Sequence, residues 1–401
     1  MTEGTFLETD SEKRIYMDYS AGKPVDPRVT DAMLPFFNSS FGNPSSVHTL
    51  GQEAKQALQK SREVVAKLIN SETPEAIVFT SGATESNNLA IRGTAGRNKS
   101  RGNKIITSSV EHMSVVNPCK LMIRNGFQVV FLPVDKYGVL DLGKLETELD
   151  EQTVLVSIVC ANPEIGTIEP IKEISKIVHA KKAFLHVDAT AASGQIPIDV
   201  QTENIDLLTL SSNDMYGPKG VGALYIKPGT TIEPVNQGGG QERGLRSGTE
   251  NIPGIVGFAK AAEIAKNEMA NESQRLTLLR NNLIKGIIEP IPYSYLNGHP
   301  TQRLPNNVSV RYSFIEGESI LLSLDIMGVY ASSGSACAAK TLQPSHVLLA
   351  LGLQPEDAHG SLMATLGRES TQEDVDKIKS LMPDIVKRLR DMSPLTPKEL
   401  K

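Results

Sequence analysis

Two periodicities alternate along this chain. Apolar positions at Ala54, Leu58, Val65 and Leu68 recur at helical spacing within residues 51–69. Ala76 to Phe79 is a short apolar run that reads as a buried strand. It breaks into the small, polar stretch Thr80-Ser81-Gly82-Ala83-Thr84-Glu85-Ser86. The alternation continues, with strands predicted at 104–108, 128–132, 153–159, 183–187, 206–210 and 222–226 and helical patterns between several of them, notably 113–125 and 171–181. Apolar strands alternating with helices indicate an α/β fold whose mainly parallel sheet is sandwiched by helices. Ligands of such sheets sit beyond the carboxyl ends of the strands. The polar clusters fall there: Ser81-Gly82, Glu111-His112, Asn162, Asp188 and Ser211 each follow a predicted strand.

Downstream the pattern changes. Residues 236–251, NQGGGQERGLRSGTEN, form a Gly-rich polar loop ending at a helix boundary. From Leu276 the positions Leu279, Leu283 and Ile287 mark a helix, strands follow near 307–312 and 329–331, and Val375, Ile378, Leu381, Ile385 and Leu389 line one face of a last helix. The chain therefore divides into a tail at 1–15, a large domain at 16–265 and a smaller α+β C-terminal domain at 266–401. A length of 401 residues exceeds one typical core.

Composition narrows the partners. The chain is 39% hydrophobic and 22% charged, an ordinary balance for a globular protein. Its net charge of −5 argues against nucleic acid, and no apolar run reaches membrane-spanning length. The first fifteen residues lack the apolar core of a secretory signal. Cys119, Cys160 and Cys337 make a sparse, odd cysteine count that fits a reducing compartment, so a cytoplasmic location is expected.

Each candidate site residue has a plain structural reading beside a chemical one. Thr80 to Thr84, between strand and helix, suits a phosphate cup, or Ser81 or Thr84 simply caps the helix. His112 could exchange protons near neutral pH, or be an ordinary hydrogen-bonded residue. Asp188, at a strand end, could pair with a protonated ring nitrogen, or cap a helix. Cys337, among small residues in Ala331-Ser332-Ser333-Gly334-Ser335-Ala336-Cys337-Ala338, suits a mobile loop, or is a small buried hydrophobe. Cys119 and Cys160, in helical and strand patterns, take the second reading.

Several of these stretches carry a family resemblance. Leu207 to Gly222, LLTLSSNDMYGPKGVG, resembles the lysine loop of the class V aminotransferase group. The Gly334-Ser335-Ala336-Cys337 stretch, followed by Leu342-Gln343-Pro344-Ser345-His346-Val347-Leu348, is similar to the persulfide loop of cysteine desulfurases of the NifS/IscS type. The likeness spans about residues 15–395. It implies a pyridoxal phosphate (PLP)-dependent transferase fold type I and a homodimer. It also implies site roles. Ala83, Thr84 and Ser211 hold the cofactor phosphate, with Thr249 reaching over from the partner subunit. His112 stacks on the ring, Asn162 lies near its hydroxyl, Asp188 meets its nitrogen, and Cys337 carries sulfur to a scaffold.

The sequence also departs from that family. Asn213-Asp214 stands where the family has His-Lys, and a carboxylate cannot form the imine that this lysine forms with PLP. Lys219 is the separate lysine of Gly-Pro-Lys-Gly and is expected to be structural. Ala191 replaces a glutamine, Pro163 the second asparagine of Asn-Asn-Glu, Met363 the arginine that grips the substrate carboxylate, and Lys23 a threonine. Lys23 and Asp214, both new charges, are expected to approach each other.

The resemblance with these departures implies a cysteine desulfurase-like protein of iron–sulfur cluster assembly. It would dock an IscU-type scaffold and present Cys337 as a ligand to a shared [2Fe-2S] cluster or as a sulfur carrier, with impaired PLP chemistry. The alternative is an active desulfurase that turns L-cysteine into L-alanine and an enzyme-bound persulfide, holding PLP without a covalent bond. An aminotransferase or selenocysteine lyase would share the fold and lack the same lysine and arginine.

Overall fold

The computed structural model describes residues 14–334 and 344–400. Its strands in chain order are β1 (Ile15–Tyr16), β2 (Ile77–Thr80), β3 (Lys104–Ser108), β4 (Gln128–Leu132), β5 (Thr153–Val159), β6 (Phe184–Asp188), β7 (Leu207–Ser211), β8 (Gly222–Ile226), β9 (Ser294–Leu296), β10 (Asn307–Tyr312), β11 (Val329–Tyr330) and β12 (Ser361–Thr365). Seven of them form one sheet in the order β2-β8-β7-β6-β5-β3-β4. The pairs from β4 through β7 are parallel, while β8 runs antiparallel to both β7 and β2. This is the mainly parallel sheet that the alternation predicted, and it agrees with the PLP fold type I that the resemblance implied.

Both faces of the sheet are covered, and the period of two shows it. Leu208, Leu210, Ala223 and Tyr225 face one core, shared with helices Thr49–Leu68 and Ile252–Ile288. Leu207, Leu224 and Ile226 face a second core, shared with helix Met113–Arg124. Every residue of β5 is buried, which is why its sequence reads as one apolar run rather than an alternation.

The carboxyl ends of β2, β3, β5, β6 and β7 share one edge, where reversed β8 begins. Gly222 starts β8 opposite Thr80 and Ser211. A Cβ there would lie 2.8 Å from Gly82 Cα and 2.8 Å from Leu210 O, so only glycine lets the turn after β2 close onto the sheet.

Helix Ile252–Ile288 is one rod of 37 residues. Its first half packs on the sheet through Ile255, Phe258 and Ala262, and its second half joins a separate core through Leu276, Leu279, Leu283 and Ile287. The boundary expected at 265/266 thus falls inside a continuous helix. The polar stretch between Ala265 and Leu276 hides the apolar period, and no Gly or Pro there stops the helix. The second core also takes in Ile15 and Met17, because β1 pairs in parallel with β11, so the opening of the chain belongs with the small domain. The antiparallel sheet β12-β10-β9 completes that domain.

Strand β2 is an edge, and its outer backbone groups need partners. Glu242 Oε2 accepts from Phe79 N–H at 2.8 Å, and Arg62 donates to Ile77 C=O. Arg62 and Glu242 form a buried two-bond pair at 2.6 and 2.8 Å, with the guanidinium over the Phe79 ring. Glu242 reaches this place from a left-handed backbone, φ 46°. Removing one partner leaves the other charge buried alone. Arg62→Met is expected to cost about 3–5 kcal/mol in denaturant unfolding, and Arg62→Met with Glu242→Leu to recover much of that.

Candidate functional site

A cavity of about 750 Å³ opens at the shared strand edge. Five of the cofactor-site residues expected from the sequence line it: Ala83, Thr84, His112, Asn162 and Asp188. Ser211 and Thr249 take other places, and Cys337 lies outside the described residues.

The turn after β2 supplies an anion cup. Gly82 takes φ 145°, and helix Ala83–Asn88 starts without a side-chain cap, so neither Ser81 nor Thr84 caps it. The helical path runs on through Leu89–Gly93 and Thr94–Arg97, which lengthens the dipole aimed at the cup. Glu85 Oε2 takes the Ser81 N–H at 2.6 Å, and Arg246 Nε holds Glu85 at 2.9 Å, which balances that carboxylate beside the cup.

Asp188 caps no helix. Its Oδ1 accepts from Thr190 N–H at 3.0 Å and from the Thr190 hydroxyl, closing a local turn. Its Oδ2 accepts from Asn87 Nδ2 at 2.7 Å. The same amide nitrogen donates to Ser114 Oγ at 2.8 Å, and Ser114 Oγ lies 2.8 Å from His112 Nδ1. His112 Nδ1 also accepts from Ser114 N–H at 3.1 Å, which places the neutral ring's proton on Nε2. One chain of hydrogen bonds therefore aligns an imidazole and a carboxylate on the cavity wall. Asn87 and Ser114 were not singled out in the sequence; the only signal is Asn87 in Ser86-Asn87-Asn88, just after the cup.

Other expected residues are employed differently. Asn162 Oδ1 accepts from Glu164 N–H and Ile165 N–H, and its Nδ2 donates to Val110 C=O at 2.7 Å. These bonds brace the turn after β5 and use one of the two Nδ2 hydrogens. Ser211 bonds the Asp214 carboxyl. Thr249 is exposed on the Gly-rich loop, away from this chain's own cavity.

Position 214 holds an acid, as the sequence reads. Lys23 is only 4% exposed, and its Nζ lies 2.5 Å from the main-chain oxygen of Asp214. Lys23 thus approaches Asp214 at its backbone, and the two charges attract each other without a direct ion pair. Burial lowers the Lys23 amine to about 8 and raises the Asp214 carboxyl, and each charge partly opposes the other's shift. Lys219 is exposed, with its Nζ 3.5 Å from the Lys23 carbonyl. Met363 lines the cavity from β12 and brings no charge to the place of an arginine.

The class-V aminotransferase family matches residues 15–378. Cysteine desulfurase IscS 1 of Archaeoglobus fulgidus is 57% identical over 380 residues, covering 95% of this chain and 99% of its own. The cysteine desulfurase IscS of Methanosarcina thermophila is 50% identical over 397 residues, covering 99% and 98%. A solved NifS-like protein superposes with a TM-score of 0.88 at 38% identity, over 94% of this chain and 100% of its own. The chain belongs to the class-V aminotransferase family. Within it, the relatives are cysteine desulfurases of the IscS type, and PLP is the cofactor that this family implies. The residues present fit that group at two ends: an uncapped helix start for a phosphate, and an Asn87-anchored carboxylate for a ring nitrogen. Position 214 carries an aspartate, which cannot form an imine.

Glu164 is a residue the sequence reading left aside. It is buried on the cavity wall, Ser345 bonds its carboxyl, and its Oε1 has no hydrogen-bond partner. A Cβ on Gly334 would lie 2.8 Å from its Cγ, so the carboxyl sits between the residues that flank 335–343. Burial pushes it up to about 8, from 4.5. A raised carboxyl pKa stabilises the fold fully below the ordinary value and loses that contribution as pH rises toward the folded one. Stability is therefore expected to fall between about pH 5 and about pH 8, and Glu164→Gln to flatten that slope in urea midpoints. Glu111 and Glu169, pushed up to about 8 by the same burial, keep part of the slope in the variant.

Proposed function

We propose that this protein is a desulfurase-like component of iron–sulfur cluster assembly. It docks an IscU-type scaffold and presents Cys337 as a cluster ligand or sulfur carrier, and its own turnover of cysteine is weak. The observation that carries this reading is the pairing of losses with retentions in one cavity. By the resemblance, Asp214 and Met363 stand where the covalent anchor and the substrate clamp belong, and the same cavity carries Ala83, Thr84 and the His112–Ser114–Asn87–Asp188 chain.

PLP, when bound, supplies an electron sink for bonds broken at an amino acid's α-carbon. Ala83 and Thr84 would hold its phosphate. Asp188 would keep a proton on the ring nitrogen, its carboxylate fixed by Asn87 and Thr190. His112, with Nδ1 engaged, would offer Nε2 to the cavity for ring contact or proton exchange. Met363 gives a cysteine carboxylate no partner, so the substrate is held poorly.

Among the described residues, no group of three or more His, Cys, Asp or Glu side chains could hold a metal ion. A [2Fe-2S] cluster would therefore be held chiefly by the scaffold, with Cys337 as an added thiolate. A homodimer belongs to the same proposal. Exposed Phe37, Phe41 and Val47 and the outward-lying Thr249 are supporting features, since a two-fold partner would cover the first three and receive the last. A cytoplasmic setting is consistent with the free thiols Cys119 and Cys160. The second reading, an active desulfurase with PLP held non-covalently, is favoured by the intact hydrogen-bond chain.

Purified protein with L-cysteine and PLP is expected to release little sulfide, and Asp214→Lys with Met363→Arg to release more. Wild-type release equal to that of the double variant selects the second reading. Co-expression with the cognate scaffold tests Cys337. In Cys337→Ala the proteins are expected to co-purify while the cluster becomes labile to oxygen. Unchanged iron content and unchanged spectra in that variant rule out the ligand role.

A further inference from the structure

We propose that Lys23 is the residue through which this chain binds an aldehyde cofactor covalently, forming an imine with PLP at the cavity wall it shares with Asp214. The inference rests on the reading that the cavity takes PLP.

Three observations carry it. First, Lys23 is the one lysine among the described residues that line the cavity, which it shares with the cup, His112 and Asp188. Second, its amine is delivered to the position where the anchor is missing. Nζ lies 2.5 Å from the main-chain oxygen of Asp214, on a side chain only 4% exposed. Third, the amine is held there by its surroundings. The Tyr216 ring lies 5.2 Å from Nζ, and Tyr216 is fixed in a left-handed backbone, φ 61°, with its hydroxyl accepting from Arg368 N–H at 2.8 Å. The Arg368 guanidinium sits 4.4 Å from the same ring, and its charge disfavours a second cation beside it.

The chemistry matches what an imine needs. A lysine attacks a carbonyl only as the neutral amine, and desolvation beside another cation is how such lysines are made reactive. The lowering of Lys23 to about 8 agrees with that environment. Neutral Nζ adds to the aldehyde carbon and a C–N bond forms. The former carbonyl oxygen leaves as water, carrying the two amine protons, and C=N replaces C=O with no change of oxidation state. Asp214 holds the amine in place through its main-chain oxygen, while its carboxyl attracts the charged form from farther off. An acid at 214 and a lysine at 23 thus form a working pair, where each alone is a buried charge with a cost.

The test uses the full-length protein loaded with PLP and freed of excess by gel filtration. Borohydride reduction, trypsin digestion and mass spectrometry locate any phosphopyridoxyl group. The expected result is one group per chain, on the peptide spanning 15–28, with an imine absorbance band that reduction abolishes. Lys23→Met and Lys23→Arg are expected to lose both adduct and band while equilibrium dialysis still finds PLP bound more weakly. Lys219→Met is expected to keep both. The arginine variant, which keeps the charge, separates a folding defect from loss of the amine. PLP retained by wild type without an adduct on Lys23, or with labelling spread over exposed lysines, overturns the inference and leaves the PLP reading standing. Failure of wild type to retain PLP overturns both.

Discussion

The cavity wall depends on one side-chain amide. Asn87 Nδ2 has two hydrogens and spends one on Asp188 Oδ2 and the other on Ser114 Oγ. Through them it joins the helix after β2, the strand end of β6 and the helix that follows β3. These three elements are brought side by side only by the parallel order of the sheet. A charge-assisted bond from a buried amide fixes the carboxylate more tightly than water could, and Ser114 passes the same constraint to His112. Removing that amide would leave Asp188 with the local Thr190 turn alone and free the imidazole from the carboxylate.

The sheet was largely legible from sequence because most of its strands are buried on both faces, the partly exposed edge strand β4 still showing a short apolar run. The predicted ranges 104–108, 128–132, 153–159 and 222–226 coincide with β3, β4, β5 and β8. Where burial is one-sided or pairing distant, the signal fades. β1 is two residues long and pairs with a strand more than three hundred positions away, which no local period encodes. The long helix was broken in the reading at its solvent-crossing middle, where the apolar stripe pauses between two cores. Arg62 and Glu242 lie 180 positions apart, and only the edge of β2 gives them a reason to meet.

The site was legible as a set of positions and less so as a set of roles. Ala83, Thr84, His112, Asn162 and Asp188 all reach the cavity because each follows a strand, and strand ends converge whatever the side chain does. Roles depend on which polar atoms remain free, and that is a property of neighbours. Asn162 bonds Glu164 N–H, Ile165 N–H and Val110 C=O, and Ser211 bonds the Asp214 carboxyl, so both side chains also brace the wall, a task the resemblance does not name. Glu164 was passed over for the opposite reason. In sequence it is one more acid, and only its burial between Gly334 and Ser345 makes it unusual.

Charge is what ties the departures together. An acid placed alone at position 214 would be a buried carboxylate facing the like charge of Asp188, and such a group either protonates or recruits a cation. Lys23 is the cation, and it enters from a segment whose backbone is anchored elsewhere: Asp26 N–H donates to Tyr216 C=O, while Asp26 is gripped by Arg28 and Arg368. The segment carrying Lys23 is therefore held against the loop carrying Asp214 independently of either charge. That independence matters for the chemistry. An amine whose position is set by a neighbouring ion pair need not keep its own proton to stay in place, so it can lose it and react without the wall coming apart.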